Sequence, residues 1–179
     1  MQLGGDILKD LINKAMHGDE ESFYKIINEN KEKLYRIAYS YVRNEQDALD
    51  IFQDAVCKAF VAIKELKEPD FFNTWLTRIV INCSINYLRK SKRIVYTEEY
   101  YSETDKSDLN GVEDLIDLYK ALDKLEAKYK SVVMLKYFED KTLQEISEIL
   151  NLPLSTVKSH LYRALDKLQI DLKEVQSFE

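Results

Sequence analysis

From Thr142 to Leu168 the apolar and polar positions form two short helical patterns separated by a tight turn. In the first, Ile146, Ile149 and Leu150 make an apolar face. Thr142, with Glu145 three residues later, supplies a capping box in which hydroxyl and carboxylate satisfy orphan backbone donors. The pattern predicts a stop near Asn151, and Pro153 blocks simple continuation. In the second segment Val157, Leu161, Ala164, Leu165 and Leu168 recur at helical spacing and are expected to face inward. The other side carries Ser155, Thr156, Lys158, Ser159, Tyr162 and Arg163. These are short donors, cations and an aromatic ring, the chemistry needed to contact phosphates and base edges from a helix in the major groove. The pattern predicts a DNA-reading helix-turn-helix; the alternative is an ordinary amphipathic helix with a solvated face.

The N-terminal half repeats the same period. Ile7, Leu8, Leu11, Ile12 and Ala15 form one apolar stripe, and Asp19 is a candidate cap before Phe23, Ile26 and Ile27. Leu34, Ile37, Ala38, Tyr41 and Val42 continue the spacing, and Asn44 marks a turn. The most regular helix is expected from about Gln46 to Ile63, burying Ala48, Ile51, Phe52, Ala55, Val56, Ala59, Phe60 and Ile63. Asp47, Asp50, Gln53 and Asp54 are left outside that stripe. No His and no Gly-rich turn lies near these carboxylates, so neither a metal site nor acid/base catalysis is expected. Their clustering fits a docking surface for a basic or amide-rich helix of a partner. After an exposed loop, Leu66 to Phe71, a further helix is expected to bury Phe72, Trp75, Leu76, Ile79, Val80, Cys83 and Tyr87. Arg78, Asn82, Asn86 and Arg89 share another of its faces, suited to phosphates and an unstacked base, with Tyr87 or Trp75 as a stacking plane if exposed.

With 179 residues, 45% of them hydrophobic, the chain is long enough for one packed domain or two small ones. Four Gly, two Pro and little strand-like alternation predict an all-α protein. No apolar run approaches the ~20 residues that span a bilayer, and no signal-peptide pattern opens the chain, so a cytoplasmic location is expected. Cys57 and Cys83 lie outside any metal-ligand spacing and read as reduced thiols, Cys83 on a core face. No catalytic residue, metal, cofactor or small-molecule substrate is expected.

A net charge of -6 looks unsuited to DNA until it is located. Glu98, Glu99, Glu103, Asp105, Asp108, Glu113 and Asp114, against Lys106 alone, give that stretch -6 and leave the remainder balanced. With Ser102, Ser107, Asn110 and Gly111 it reads as a flexible acidic linker, so the expected organisation is a lobe over 1–94, a linker over 95–111 and a lobe over 112–179. Just before the linker, Arg89, Lys90, Lys92 and Arg93 form a basic cluster placed to meet a polyanion; a solvated helix end is the bland reading.

The stretches Leu34-Tyr35-Arg36-Ile37-Ala38, Asp47-Ala48-Leu49-Asp50-Ile51-Phe52-Gln53-Asp54 and Phe72-Asn73-Thr74-Trp75-Leu76-Thr77-Arg78-Ile79 resemble region 2 of the extracytoplasmic-function (ECF) group of the sigma-70 family. Glu145-Ile146-Ser147-Glu148-Ile149-Leu150 and Ser155-Thr156-Val157-Lys158-Ser159-His160-Leu161-Tyr162-Arg163-Ala164-Leu165 resemble its region 4. A helix-turn-helix alone is only moderately specific; both motif sets in this order, across a linker lacking region 3, are highly specific. Lys outnumbers Arg 20 to 6, which suggests an AT-rich genome and, within the group, the low-GC Gram-positive, SigV-type members that respond to envelope stress.

That resemblance implies a promoter-specificity factor with core RNA polymerase, promoter DNA and a membrane-anchored anti-sigma factor as partners. It implies that Asp47, Asp50, Gln53 and Asp54 pack on the β' clamp helices, with the β flap as a second polymerase contact. It implies -10 recognition and melting by Lys67, Phe71, Arg78, Asn82, Asn86, Arg89, Lys90 and Arg93, with the loop Lys67-Glu68-Pro69-Asp70-Phe71 helping to set the -10 preference. It implies -35 readout by Ser155, Thr156, Lys158, Ser159, Tyr162 and Arg163, and a linker threading the RNA exit path. Two other classes stay open on residues alone: a conventional helix-turn-helix regulator with a sensing or dimerising first lobe, and a helical adaptor binding only protein.

Overall fold

The computed structural model describes the backbone of residues 5–95 and 121–176, helical apart from caps and turns, with no strand among the described residues. The chain divides into two compact units, Met1–Glu99 and Tyr100–Glu179. The stretch 96–120, which holds nearly all of the expected linker, lies outside the described residues.

In the first unit α1 (Gly5–Met16), α2 (Glu20–Val42), α3 (Glu45–Ala62) and α4 (Phe72–Val95) are separated by short caps and two 3₁₀ turns, Ile63–Glu65 and Pro69–Phe71. Asp19 caps α2 by accepting from the Ser22 amide, and Asn44 caps α3 by accepting from the Asp47 amide. Arg43, left-handed at φ 55°, ends α2 so that α3 starts two residues later. α2 packs on α1, α3 and α4, and α3 on α4. Ile26, Leu34, Ile51, Phe72, Leu76 and Ile81 are fully buried between them, each contributing ~1.5–3 kcal/mol of apolar transfer. Their burial sets which face each helix leaves outside.

In the second unit residues 121–124 are helical, followed by α5 (Ala127–Val133), a π-helical turn (Met134–Phe138), α6 (Leu143–Leu150) and α7 (Leu154–Gln176). Leu122, Leu135, Ile146, Ile149, Val157 and Ala164 make its core.

Several inward expectations stop short. Ile7, Phe60 and Leu165 are exposed, and Trp75, Ile79 and Tyr87 are only half-buried. Periodicity marks the stripe but not where neighbouring helices cease to cover it, and these residues lie at its edges. Trp75 rests against Phe72, ring centroids 5.8 Å apart. Leu66 departs the other way: within a loop expected to be exposed, it is buried. Among the described residues no helix is long and apolar enough to cross a membrane, and no cluster of His, Cys, Asp and Glu is arranged to hold a metal.

Candidate nucleic-acid and polymerase interfaces

The helix-turn-helix is built by local chemistry. The Thr142 hydroxyl accepts from the Glu145 amide at 3.2 Å while the Glu145 carboxylate accepts from the Thr142 amide at 2.8 Å. The Thr142 amide and hydroxyl on that carboxylate hold its pKa below the ordinary value. At the other end of α6, Asn151 adopts the left-handed conformation at φ 53°, which Asn tolerates better than most residues. The Leu152 amide then closes onto the Ser147 carbonyl at 3.0 Å, and the Ser147 hydroxyl donates to the Leu152 carbonyl at 2.6 Å. The Pro153 carbonyl accepts the Thr156 and Val157 amides and starts α7. The turn is therefore three residues, Asn151-Leu152-Pro153.

Along α7, Val157, Leu161, Ala164 and Leu168 are buried, which turns Ser155, Lys158, Ser159, Tyr162 and Arg163 outward, with Thr156 half-buried. Tyr162 is 68% exposed and is free to lie against a base or sugar. The Ser159 hydroxyl donates to the Ser155 carbonyl at 2.9 Å, so toward a ligand it presents acceptor lone pairs. The Arg163 guanidinium beside the Tyr129 hydroxyl lowers that phenol's pKa below its ordinary value. His160 lies between the two faces: its ring meets Tyr129 edge-on at 5.3 Å, and its Nδ1 is buried without a hydrogen-bond partner. Burial, then the nearby Lys128 and Arg163, lower its pKa, so the ring is neutral at pH 7.

In the first unit Asp50, Gln53 and Asp54 are exposed on α3, but Asp47 is half-buried and already bonded. The Tyr87 hydroxyl of α4 donates to Asp47 Oδ1 at 2.6 Å, and that carboxylate pushes the phenol up to about 12. Asp54 pairs with Lys58 at 2.6 Å, and Lys58 Nζ also lies 3.5 Å from Cys83 Sγ. The outward acidic face thus divides: Asp50 and Gln53 are exposed, Asp47 is fixed by α4, and Asp54 is half-neutralised. Exposed Leu49, Phe60 and Val61 share α3 with them.

The face expected to meet the -10 element runs along α4. Asn82, Arg89 and Lys90 are exposed and Asn86 is half-buried, with Arg89 donating to Asn86 at 3.0 Å. Arg78 is half-buried and has an interaction partner of its own. Arg93 is on α4, its side chain outside the described residues. Lys67 and Phe71 are exposed around the second 3₁₀ turn, Phe71 by 53%. α1 packs against both 3₁₀ turns, and Lys9 bridges both Asp70 oxygens at 2.9 and 3.0 Å. The Asp47–Tyr87 and Lys9–Asp70 contacts were not legible in the sequence; they join residues 40 and 61 positions apart, and no spacing rule reaches that far.

Residues 26–94 match the family model for sigma-70 region 2, and residues 115–168 match that for sigma-70 region 4. The chain is 39% identical over 147 residues to the RNA polymerase sigma factor SigV of Bacillus subtilis, covering 82% of this chain and 88% of that protein. It is 32% identical over 184 residues to the ECF RNA polymerase sigma factor SigW of the same organism, covering 94% and 98%. Among solved structures it resembles the sigma factor RpoE of Bartonella quintana, determined with the anti-sigma factor NepR, at TM-score 0.69 and 25% identity over 86% of this chain and 98% of that one. CnrH, determined with the cytosolic domain of CnrY, shares the fold at TM-score 0.69 and 24% identity over 93% and 97%. Two region matches in this order, on a chain of this length and fold, mean that it belongs to the ECF group of the sigma-70 family of RNA polymerase sigma factors.

Proposed function

We propose that this chain binds core RNA polymerase, directs it to promoters through paired -35 and -10 contacts, and is held in check by an anti-sigma factor, membrane-anchored, in an envelope-stress response. The observation that carries the reading is the presence of both sigma regions in one chain, with Asp50 and Gln53 exposed in the first and Lys158, Tyr162 and Arg163 exposed in the second. Asp50 and Gln53, with Asp47 oriented by Tyr87, form the core of the docking face on the β' clamp helices, and the β flap is the second contact. Asp54 contributes less, since Lys58 offsets its charge. Lys67, Phe71, Arg78, Asn82, Asn86, Arg89, Lys90 and Arg93 serve the -10 element. Opening it costs a few kcal/mol of unstacking, which phosphate contacts and a captured base offset. Ser155, Thr156, Lys158, Ser159, Tyr162 and Arg163 read the -35 element. The region boundaries follow the sequence reading: region 2 over 1–94, a linker over 95–111, region 4 over 112–179. The function is transcription initiation without chemistry of its own, carried out in the cytoplasm. Support for anti-sigma control comes from RpoE, the structural neighbour determined with its anti-sigma factor.

The test is core binding. The double substitution Asp50→Ala, Gln53→Ala is expected to weaken association with core polymerase equally on every promoter, while the thermal transition stays within ~0.5 kcal/mol of wild type because both side chains are exposed. Unchanged affinity for core would remove the docking assignment.

A further inference from the structure

Beside the base-reading face of α7 stands a second cluster, of which the sequence motifs include Arg163 but neither lysine. Lys128 Nζ lies 4.8 Å and Lys167 Nζ 4.9 Å from the Tyr129 ring centroid. Glu126 holds both ammonium groups, Lys128 at 2.8 Å and Lys167 at 3.2 Å. The Arg163 guanidinium stands at the Tyr129 hydroxyl. Three cations against one carboxylate leave a local charge of +2 on a chain whose net charge is -6. Lys128, Arg163 and Lys167 are all exposed, whereas the Tyr129 side chain between them is buried and serves as a floor.

We propose that Lys128 and Lys167, spaced by Glu126 over Tyr129, form a clamp for a DNA backbone phosphate at the rim of the groove that α7 enters. The inference rests on the reading of α7 as the -35 helix. Lys167 follows Arg163 by four residues, about 6 Å along the same face of α7. With Arg163 at the groove, Lys167 stands one turn farther along, beside the line of phosphates that bounds it. Each ammonium has three donors, so after Glu126 and the ring face are served each keeps a donor for a phosphodiester oxygen. Glu126 fixes both long side chains beforehand, which lowers the entropy lost on binding. The low pKa of the Tyr129 phenol agrees with a positive local potential. A phosphate fits better than an acidic peptide, because Arg163 makes the cluster continuous with the DNA-facing side of α7.

The experiment measures holoenzyme affinity for a promoter selected from a randomised library, between 50 and 200 mM salt, for wild type, Lys128→Ala/Lys167→Ala and Lys128→Arg/Lys167→Arg. Removing two cations from the phosphates flattens the slope of log affinity against log salt by about 1.8, so the wild-type advantage over the Ala pair shrinks about twelve-fold across that range. The Arg pair keeps the wild-type slope, and the preference for the cognate over a scrambled -35 element is unchanged in all three. An unaltered slope in the Ala pair overturns the clamp; so does a loss confined to the cognate element, which would make these lysines base readers. Weaker binding of an acidic partner protein with the DNA slope intact would reassign the cluster to a protein contact. If wild type does not discriminate cognate from scrambled -35 DNA, the -35 reading itself fails; if it discriminates and the slope is unaltered, only the clamp fails.

Discussion

Replacing Tyr87 by Phe removes one hydroxyl and tests the link between α3 and α4. The Tyr87 hydroxyl donates to Asp47 Oδ1 at 2.6 Å, a short bond to a charged acceptor. Hydrogen bonds to charged groups contribute ~1.5–3 kcal/mol net, and removing the donor strands a half-buried carboxylate. The phenol pKa, pushed up to about 12 from an ordinary 10.0, gives a second measure. Two pKa units correspond to ~2.7 kcal/mol, a ceiling that partial solvent screening reduces to ~1–2 kcal/mol. Because the folded pKa is raised, this stabilisation is fully present below pH ~10 and fades as pH climbs towards 12. Trp75 is the single tryptophan and lies on α4, so its fluorescence during urea unfolding reports the first unit alone. Tyr87→Phe is expected to lose ~1–2 kcal/mol at pH 8, with the gap to wild type closing as pH rises from 10 to 12. Lys58 and other groups titrating there are common to both proteins and cancel in the difference. A gap that stays constant with pH, or is absent at pH 8, would refute the reasoning. Because Asp47 then loses its orientation, core affinity should fall with it.

Thr142→Ala removes one half of the capping box and should cost ~1 kcal/mol in the second unit, followed by circular dichroism. The Thr142 amide, then its hydroxyl, hold the Glu145 pKa down, so the wild-type contribution is present above the ordinary carboxylate value and fades as pH falls through the lowered one; the variant keeps the amide and loses the hydroxyl, so its acid-side decline should be shallower than wild type's without vanishing. Lys158→Ala and Arg163→Ala are each expected to weaken -35 discrimination by ~1–3 kcal/mol for each base-reading interaction removed, read as binding to cognate against scrambled elements. Cys57 is exposed and Cys83 is buried, its thiol pushed up by burial. A thiol reagent at pH 8 should therefore label one cysteine rapidly and the second only on unfolding.

The elements most legible in the sequence are those made by local chemistry. Thr142 with Glu145, then Asn151 and Pro153, bracket the helix-turn-helix within a dozen residues, and each bond they imply is present. Asp19 and Asn44 mark helix starts for the same reason. α5 went unread because Val132 and Val133, continued by Met134 and Leu135 of the π-helical turn, are consecutively apolar and buried, and an unbroken apolar run has no amphipathic period to betray a helix. The buried Lys130, paired with Asp123 at 2.7 Å, further disguises it as surface. On α3 the pattern placed Asp50 and Asp54 outward, where they are, but gave no sign that Asp47 is half-buried. That Asp47 is bonded while Asp50 is exposed depends on Tyr87, forty residues away. The lysines about Tyr129 escaped for the same reason, since Glu126 and Lys167 meet only when α5 and α7 pack.

Promoter-specific initiation is tested most directly by in vitro transcription. Purified core polymerase is supplied with randomised promoter-like fragments, with and without this protein. Transcripts are expected that depend on both core and this chain and that share spaced -35 and -10 elements. No such transcripts, together with duplex DNA bound equally well in the absence of core, would contradict that function and favour a conventional helix-turn-helix regulator.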